Sequence, residues 1–293
     1  MQVERVGEWS IQKLDILKAY MGAYAGIMSV ENRKWLSAFY YVEAFAGPGL
    51  VSMREGDVLD PEAEAYLQGS PLRALECEPR FDHLWFIDKR SSRKANLIGL
   101  LNSRGETDRA DVKVGDCNEL LEGIVAGINR RTERALVFLD PYGLQLDWRT
   151  VESLAKSERV DVFINFSVMG IIRNLPREGR PANDVRETLG RVMKSVAWMD
   201  EIYSDQFRLF DDALSSKRRP IDARRLAATY ASDLEGVFGH VSDPVVMTNS
   251  KGGPLYALIL ASHKSLAKDR MNQIINRKSR TSRKDEGLSA RVH

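Results

Sequence analysis

The sequence predicts an α/β fold built on a doubly wound, mostly parallel sheet, and three observations predict it. Apolar strand-like runs alternate with amphipathic helical runs from residue 38 to about residue 170, the pattern of repeated βα units. The run Ala135 to Leu139 (ALVFL) is continuous and apolar, as a central strand covered on both faces must be. Ala38 to Phe45 (AFYYVEAF), aromatic and β-branched, breaks directly into Gly47-Pro48-Gly49. That is how an open α/β sheet begins a nucleotide site, with glycines that let the backbone approach a ligand. The third glycine of the dinucleotide fingerprint is absent, which argues against NAD.

The chain's 293 residues can bury one large core or two, and 43% hydrophobic with 29% charged residues is ordinary for a globular protein. A formal charge of +2 demands no acidic partner, so local clusters matter more. Cys77 and Cys117 are the only cysteines. With no C-x-x-C pair and no signal-peptide pattern, they predict a cytoplasmic protein with reduced thiols. Apolar runs such as Leu255 to Ala261 are too short to cross a bilayer, so no membrane contact is expected. His83, His240, His263 and His293 show no ligand spacing, so no metal is expected.

Trp9 to Met28 carries a helical apolar stripe with Ser10 as a candidate N-cap, expected to cover the core or the mouth of a site. Ser52 to Gln68 is polar and reads as a loop or insertion. Gly69-Ser70-Pro71 opens a helix, with Ser70 as cap and Pro71 in the first turn. Leu84 to Asp88 is a second strand ending in an acid that can accept hydrogen bonds from a ribose diol. Asp111 to Val114 is a third strand, and Asp116 after it suits either a helix N-cap or an adenine amine. Ala135 to Leu139 ends in Asp140-Pro141-Tyr142-Gly143, and a fifth strand, Val160 to Phe166, precedes Arg173. Four strand ends therefore place polar groups at one edge of a parallel sheet: Glu43 to Gly49, Asp88, Asp116 and Asp140 to Gly143.

The doubly wound pattern pauses after Leu175. Pro176, Pro181, Pro220 and the basic Lys217-Arg218-Arg219 fall in a helical insertion or lid. Val245 to Thr248 and Pro254 to Ala261 form a closing hairpin, a helix follows to about Asn276, and a basic tail ends the chain. The expected division is an N-terminal helical segment (1–35), a sheet domain (36–174 and 241–277), an insertion (175–240) and a flexible tail (278–293).

Over roughly residues 38 to 170 this order resembles class I S-adenosylmethionine-dependent methyltransferases, whose Rossmann-like sheet also closes with an antiparallel hairpin. The resemblance implies S-adenosylmethionine as cofactor. Gly47 and Gly49 would lie under its methionine portion beside Phe45, with Glu43 near its ammonium, Asp88 on the ribose and Asp116 near the adenine. Asp140-Pro141-Tyr142-Gly143 is similar to the Asp/Asn-Pro-Pro-aromatic motif of amino-methylating nucleic-acid methyltransferases. It lacks one proline and looks closer to the Asp-Pro-Phe-Gly of tRNA guanine-N2 dimethyltransferases. Asp140 and the Pro141 carbonyl would orient an exocyclic amine, Tyr142 would stack on the base, and Gly143 and Arg173 would assist binding of an RNA or DNA substrate. The runs EAFAGPG, GSPLRALE, FLDPYGLQLDW and INFSVMGIIRN resemble the three-Cys-motif partner proteins, a bacterial family. That likeness implies a radical-SAM-like protein partner. It leaves a non-catalytic partner protein as the alternative to an enzyme. A metal-dependent nuclease using Asp140 and Asp147 is a third reading.

Overall fold

The computed structural model describes residues 4–30, 34–53, 67–178, 180–208, 211–218, 221–249 and 251–289. Its main sheet holds β1 (Ala38–Ala44), β2 (His83–Asp88), β3 (Ala110–Val114), β4 (Glu133–Leu139), β5 (Val160–Phe166), β6 (His240–Val241), β7 (Val245–Thr248) and β8 (Pro254–Ser262). Their order is β6-β8-β5-β4-β1-β2-β3, with β7 also paired to β8. Strands β1 to β5 run parallel, and β8 enters antiparallel to β5 and pairs antiparallel with β6 and β7. This is the doubly wound, mostly parallel sheet with a terminal antiparallel hairpin that the sequence predicts.

Period-two alternation sends side chains of one strand to opposite faces. Phe39 and Tyr41 of β1 enter one apolar core, and Val42 and Ala44 enter the other. The first core is closed by α1 (Glu8–Met28), α2 (Ser70–Leu75), α3 (Ser91–Arg104) and the first turns of the C-terminal helix. The second is closed by α4 (Cys117–Ala126), α5 (Trp148–Ser157), α6 (Val168–Asn174), α7 (Asn183–Val192), α8 (Trp198–Ile202) and α9 (Ala223–Phe238). The C-terminal helix, α10, spans Ser265–Ser289.

Several expectations change. Gly7, not Ser10, caps α1, and Ser10 is buried a turn further on. Gly69 caps α2 with no side-chain bond, because the Ser70 hydroxyl is directed at Glu43 instead. Helix α9 is no part of a lid: Leu226, Tyr230, Leu234 and Phe238 sit in the sheet's own core. The remaining insertion is not wholly helical, since Tyr203–Arg208 and Asp211–Arg218 form an antiparallel pair. Lys217 and Arg218 lie on that second strand, and Arg219 lies outside the described residues. The C-terminal helix runs past Asn276 over a stretch whose Arg, Lys and Glu residues favour helix without needing a core. Most of the expected Ser52 to Gln68 loop lies outside the described residues. Its flanks Leu50–Met53 and Leu67–Gln68 pair with each other, and Leu50–Met53 also pairs with Glu4–Val6. Among the described residues no helix is long and apolar enough to cross a membrane.

Candidate functional site at the carboxyl rim of the sheet

From β1 the chain builds β2 and β3 on one side, then crosses back to β4 and β5 on the other. Strands β1 and β4 thus flank the switch point of the winding, where open α/β sheets take their ligands. A cavity of about 190 Å³ opens there. Its wall comes from the turn after β1 (Phe45 to Gly49), the turn after β4 (Asp140, Pro141, Tyr142), Gly69 and Ser70, Trp9 and Lys13 of α1, and Tyr256 of β8. Two cavities adjoin it. One of about 180 Å³ is lined by Asp88, Lys89, Asp116, Asn118 and Arg191, and one of about 160 Å³ by Asp88, Arg93, Tyr142 and Gln145. Phe45 lines all three.

The glycine turn is pinned from two sides. The Gly47 N–H donates to Oδ2 of Asp88 at 3.0 Å, and the Gly69 N–H donates to the Gly49 carbonyl at 2.9 Å. Gly47 and Gly49 hold φ of 68° and 86°, left-handed backbone that glycine adopts without steric cost. Phe45 holds φ 69°, a conformation a bulky side chain adopts only under constraint.

The acids are engaged differently from one another. Asp88 is buried, and Oδ2 also accepts from Arg93 at 2.9 Å while Oδ1 accepts the Arg90 N–H at 2.8 Å. This carboxylate thus organises the loop through protein donors. Asp116 caps α4 by accepting the Asn118 N–H at 2.9 Å, which holds its pKa below the usual carboxylate range. Lys89 lies 3.4 Å away. Glu43 is buried and accepts hydrogen bonds from Ser70 and, at 3.1 Å, from Tyr41; burial raises its pKa to about 8. Glu43 does not itself line the cavity, but Ser70 does.

At the second turn, Asp140 pairs with Lys13 through Oδ2 and accepts from Nδ2 of Asn165 at 2.6 Å through Oδ1. Half-exposed Tyr142 receives a hydrogen bond from Arg93 at 3.3 Å, and that guanidinium lies 5.4 Å from the centre of its ring. Gly143 turns the chain away at φ 63° outside the cavity, and Arg173 is exposed on α6, lining none of the three cavities. Asp147 is buried against Arg191 and Arg149, so it and Asp140 face cations rather than each other. Among the described residues no group of three or more His, Cys, Asp or Glu is arranged to hold a metal.

Sequence reasoning missed Trp9, Lys13, Arg93, Asn165 and Tyr256. Trp9 stacks on Tyr256 with ring centres 5.0 Å apart, and the Lys13 ammonium lies 5.4 Å from the Trp9 ring. The available signal was Ser10 and Lys13, polar residues on the stripe that continues through Leu14, Leu17 and Met21.

Fold and rim together define an open, doubly wound α/β protein with its cavities at the switch point. No protein-family model matches the chain, and no curated protein sequence matches it. Solved structures resemble it at low identity and with TM-scores below 0.5. Cofactor-bound Rv0187 from MTB is 14% identical, over 87% of this chain and 81% of that one, with a TM-score of 0.45. An S-adenosylmethionine-dependent methyltransferase from Clostridium acetobutylicum ATCC 824 is 10% identical, over 85% and 92%, with a TM-score of 0.39. Likeness at this level carries no chemistry over to the chain.

Proposed function

We propose that this chain binds S-adenosylmethionine along the rim and methylates an exocyclic amine of a nucleic-acid base. The observation that supports this best is that the glycine turn after β1 and the Asp140 turn after β4 open into one cavity. The residues fit the cofactor. Gly47 and Gly49 line the cavity, and a Cβ at Gly69 would stand 2.8 Å from the Gly49 carbonyl oxygen, so the cradle requires glycine there. Ser70, its proton committed to Glu43, offers lone pairs to an ammonium. Asp116 and Asn118 stand at the second cavity to receive an adenine, and Asp88 keeps spare acceptor capacity only beyond its three protein donors.

When bound, the cofactor would supply an electrophilic sulfonium methyl for transfer to the amine nitrogen, with the displaced amine proton passing to solvent. Asp140 and the Pro141 carbonyl orient the amine hydrogens, and Tyr142 stacks on the base. Titration calorimetry with S-adenosylmethionine should show binding, and label should pass from a tritiated methyl group to RNA or DNA. Transfer surviving Asp140→Ala would remove the catalytic assignment. Binding without any labelled acceptor would favour a partner protein for a three-Cys-motif enzyme.

A further inference from the structure

Lys13 and Asp140 form a donor and an acceptor side by side on the wall of the cavity between β1 and β4. Lysine carries three N–H donors, and Lys13 commits one to Asp140 while its charge lies over Trp9. Ionised Asp140 has about four lone-pair positions; Lys13 and Asn165 take two of them. At least one further donor direction therefore stands beside at least one further acceptor direction. The Trp9–Tyr256 stack and the ring of Tyr142 add flat apolar surfaces to the same cavity.

Resting on the methyltransferase reading above, we infer that Lys13 selects the acceptor base. The favoured group is an amine with an unprotonated ring nitrogen beside it on the Watson–Crick edge, as in adenine (N6 and N1) or cytosine (N4 and N3). Asp140 accepts from the amine and Lys13 donates to the ring nitrogen, a bidentate fit. Guanine presents an N1–H beside its N2 amine, so a donor would face the Lys13 donor. Its other neighbour, N3, lies against the sugar. Lys13 thus points away from the guanine acceptor that Asp-Pro-Tyr-Gly alone suggests.

The test is methyl transfer by the full chain to homopolymers of A, C, G and U or T, as RNA and as DNA. Calorimetric binding of adenosine, cytidine and guanosine is measured alongside, with S-adenosylhomocysteine saturating the cofactor site. Labelling and binding should favour adenine or cytosine over guanine by about tenfold or more. Lys13→Met should remove that preference, and Lys13→Arg should retain most of it. Guanine preferred by the wild type, or a preference untouched in Lys13→Met, overturns the inference alone. The wild-type comparison decides even where Lys13→Met fails to fold. Absence of any S-adenosylhomocysteine binding to the wild type would instead sink the methyltransferase reading, and this inference with it.

Discussion

Glu43 accepts a hydrogen bond from the Ser70 hydroxyl, so the serine at the cavity wall is backed by an acid that never reaches the cavity. Burial raises the Glu43 pKa to about 8 from 4.5, against the opposing hydrogen bonds of Ser70 and Tyr41. The folded state therefore keeps this proton after the unfolded chain has lost it. The resulting stabilisation is complete below about pH 4.5 and is lost as pH rises through about 8. Thermal melts of the wild type and Glu43→Gln from about pH 5 to about pH 9 should diverge. The wild type should lose on the order of a few kcal/mol relative to the variant. Parallel curves would mean that Glu43 titrates as an ordinary surface acid.

Asp88 and Arg93 form a buried ion pair whose carboxylate also holds the Gly47 N–H. Removing one partner strands the other charge, so Arg93→Met should cost ~3–5 kcal/mol in denaturant unfolding. The double variant Asp88→Leu with Arg93→Met should recover much of that loss, because no charge remains buried. The glycine turn loses its acceptor only in the double variant, so cofactor affinity should stay low there although stability returns. A double variant that binds as the wild type does would show that Asp88 does not shape the turn.

The strands of the sheet were legible because continuous apolar runs such as ALVFL and period-two alternation are local signals. The rim was legible too, since each acid follows its own strand directly. The partners of those acids were not. Lys13 meets Asp140 across 127 positions and Gly47 meets Asp88 across 41, and nothing in local spacing encodes such pairs. Asp116 carries a cap signature and a ligand signature in the same residue, and only the Asn118 N–H identifies the cap. Pro176, Pro181 and Pro220 interrupt the βα rhythm before helix α9 and mask its Leu226, Tyr230 and Leu234 stripe, which belongs to the core.

Two glycines of similar appearance in the sequence should respond oppositely to alanine. At Gly69 an added Cβ meets the Gly49 carbonyl oxygen at 2.8 Å, and backbone there cannot yield without moving the turn. Gly69→Ala should cost ~1–3 kcal/mol and weaken cofactor binding. At Gly26, inside α1, an added Cβ meets nothing within 4 Å. Gly26→Ala should stabilise by ~0.5–1 kcal/mol through helix propensity. Equal responses at the two sites, read from urea midpoints, would contradict the packing described around Gly49.

Phe45 reverses the usual order of alanine over glycine. Its φ of 69° is left-handed, a region that costs a residue with a Cβ roughly 1–2 kcal/mol and glycine almost nothing. Both Phe45→Ala and Phe45→Gly lose the ring shared by the three cavities, so that loss cancels between them. What remains is the backbone, and Phe45→Gly should be the more stable of the two by about 1 kcal/mol. Merging the cavities should weaken cofactor binding in both variants to a similar degree, because the ring rather than the dihedral lines the cavities. Alanine proving more stable than glycine at this position, in unfolding followed by circular dichroism, would show that the turn relaxes out of the left-handed region and that the rim is not held as described.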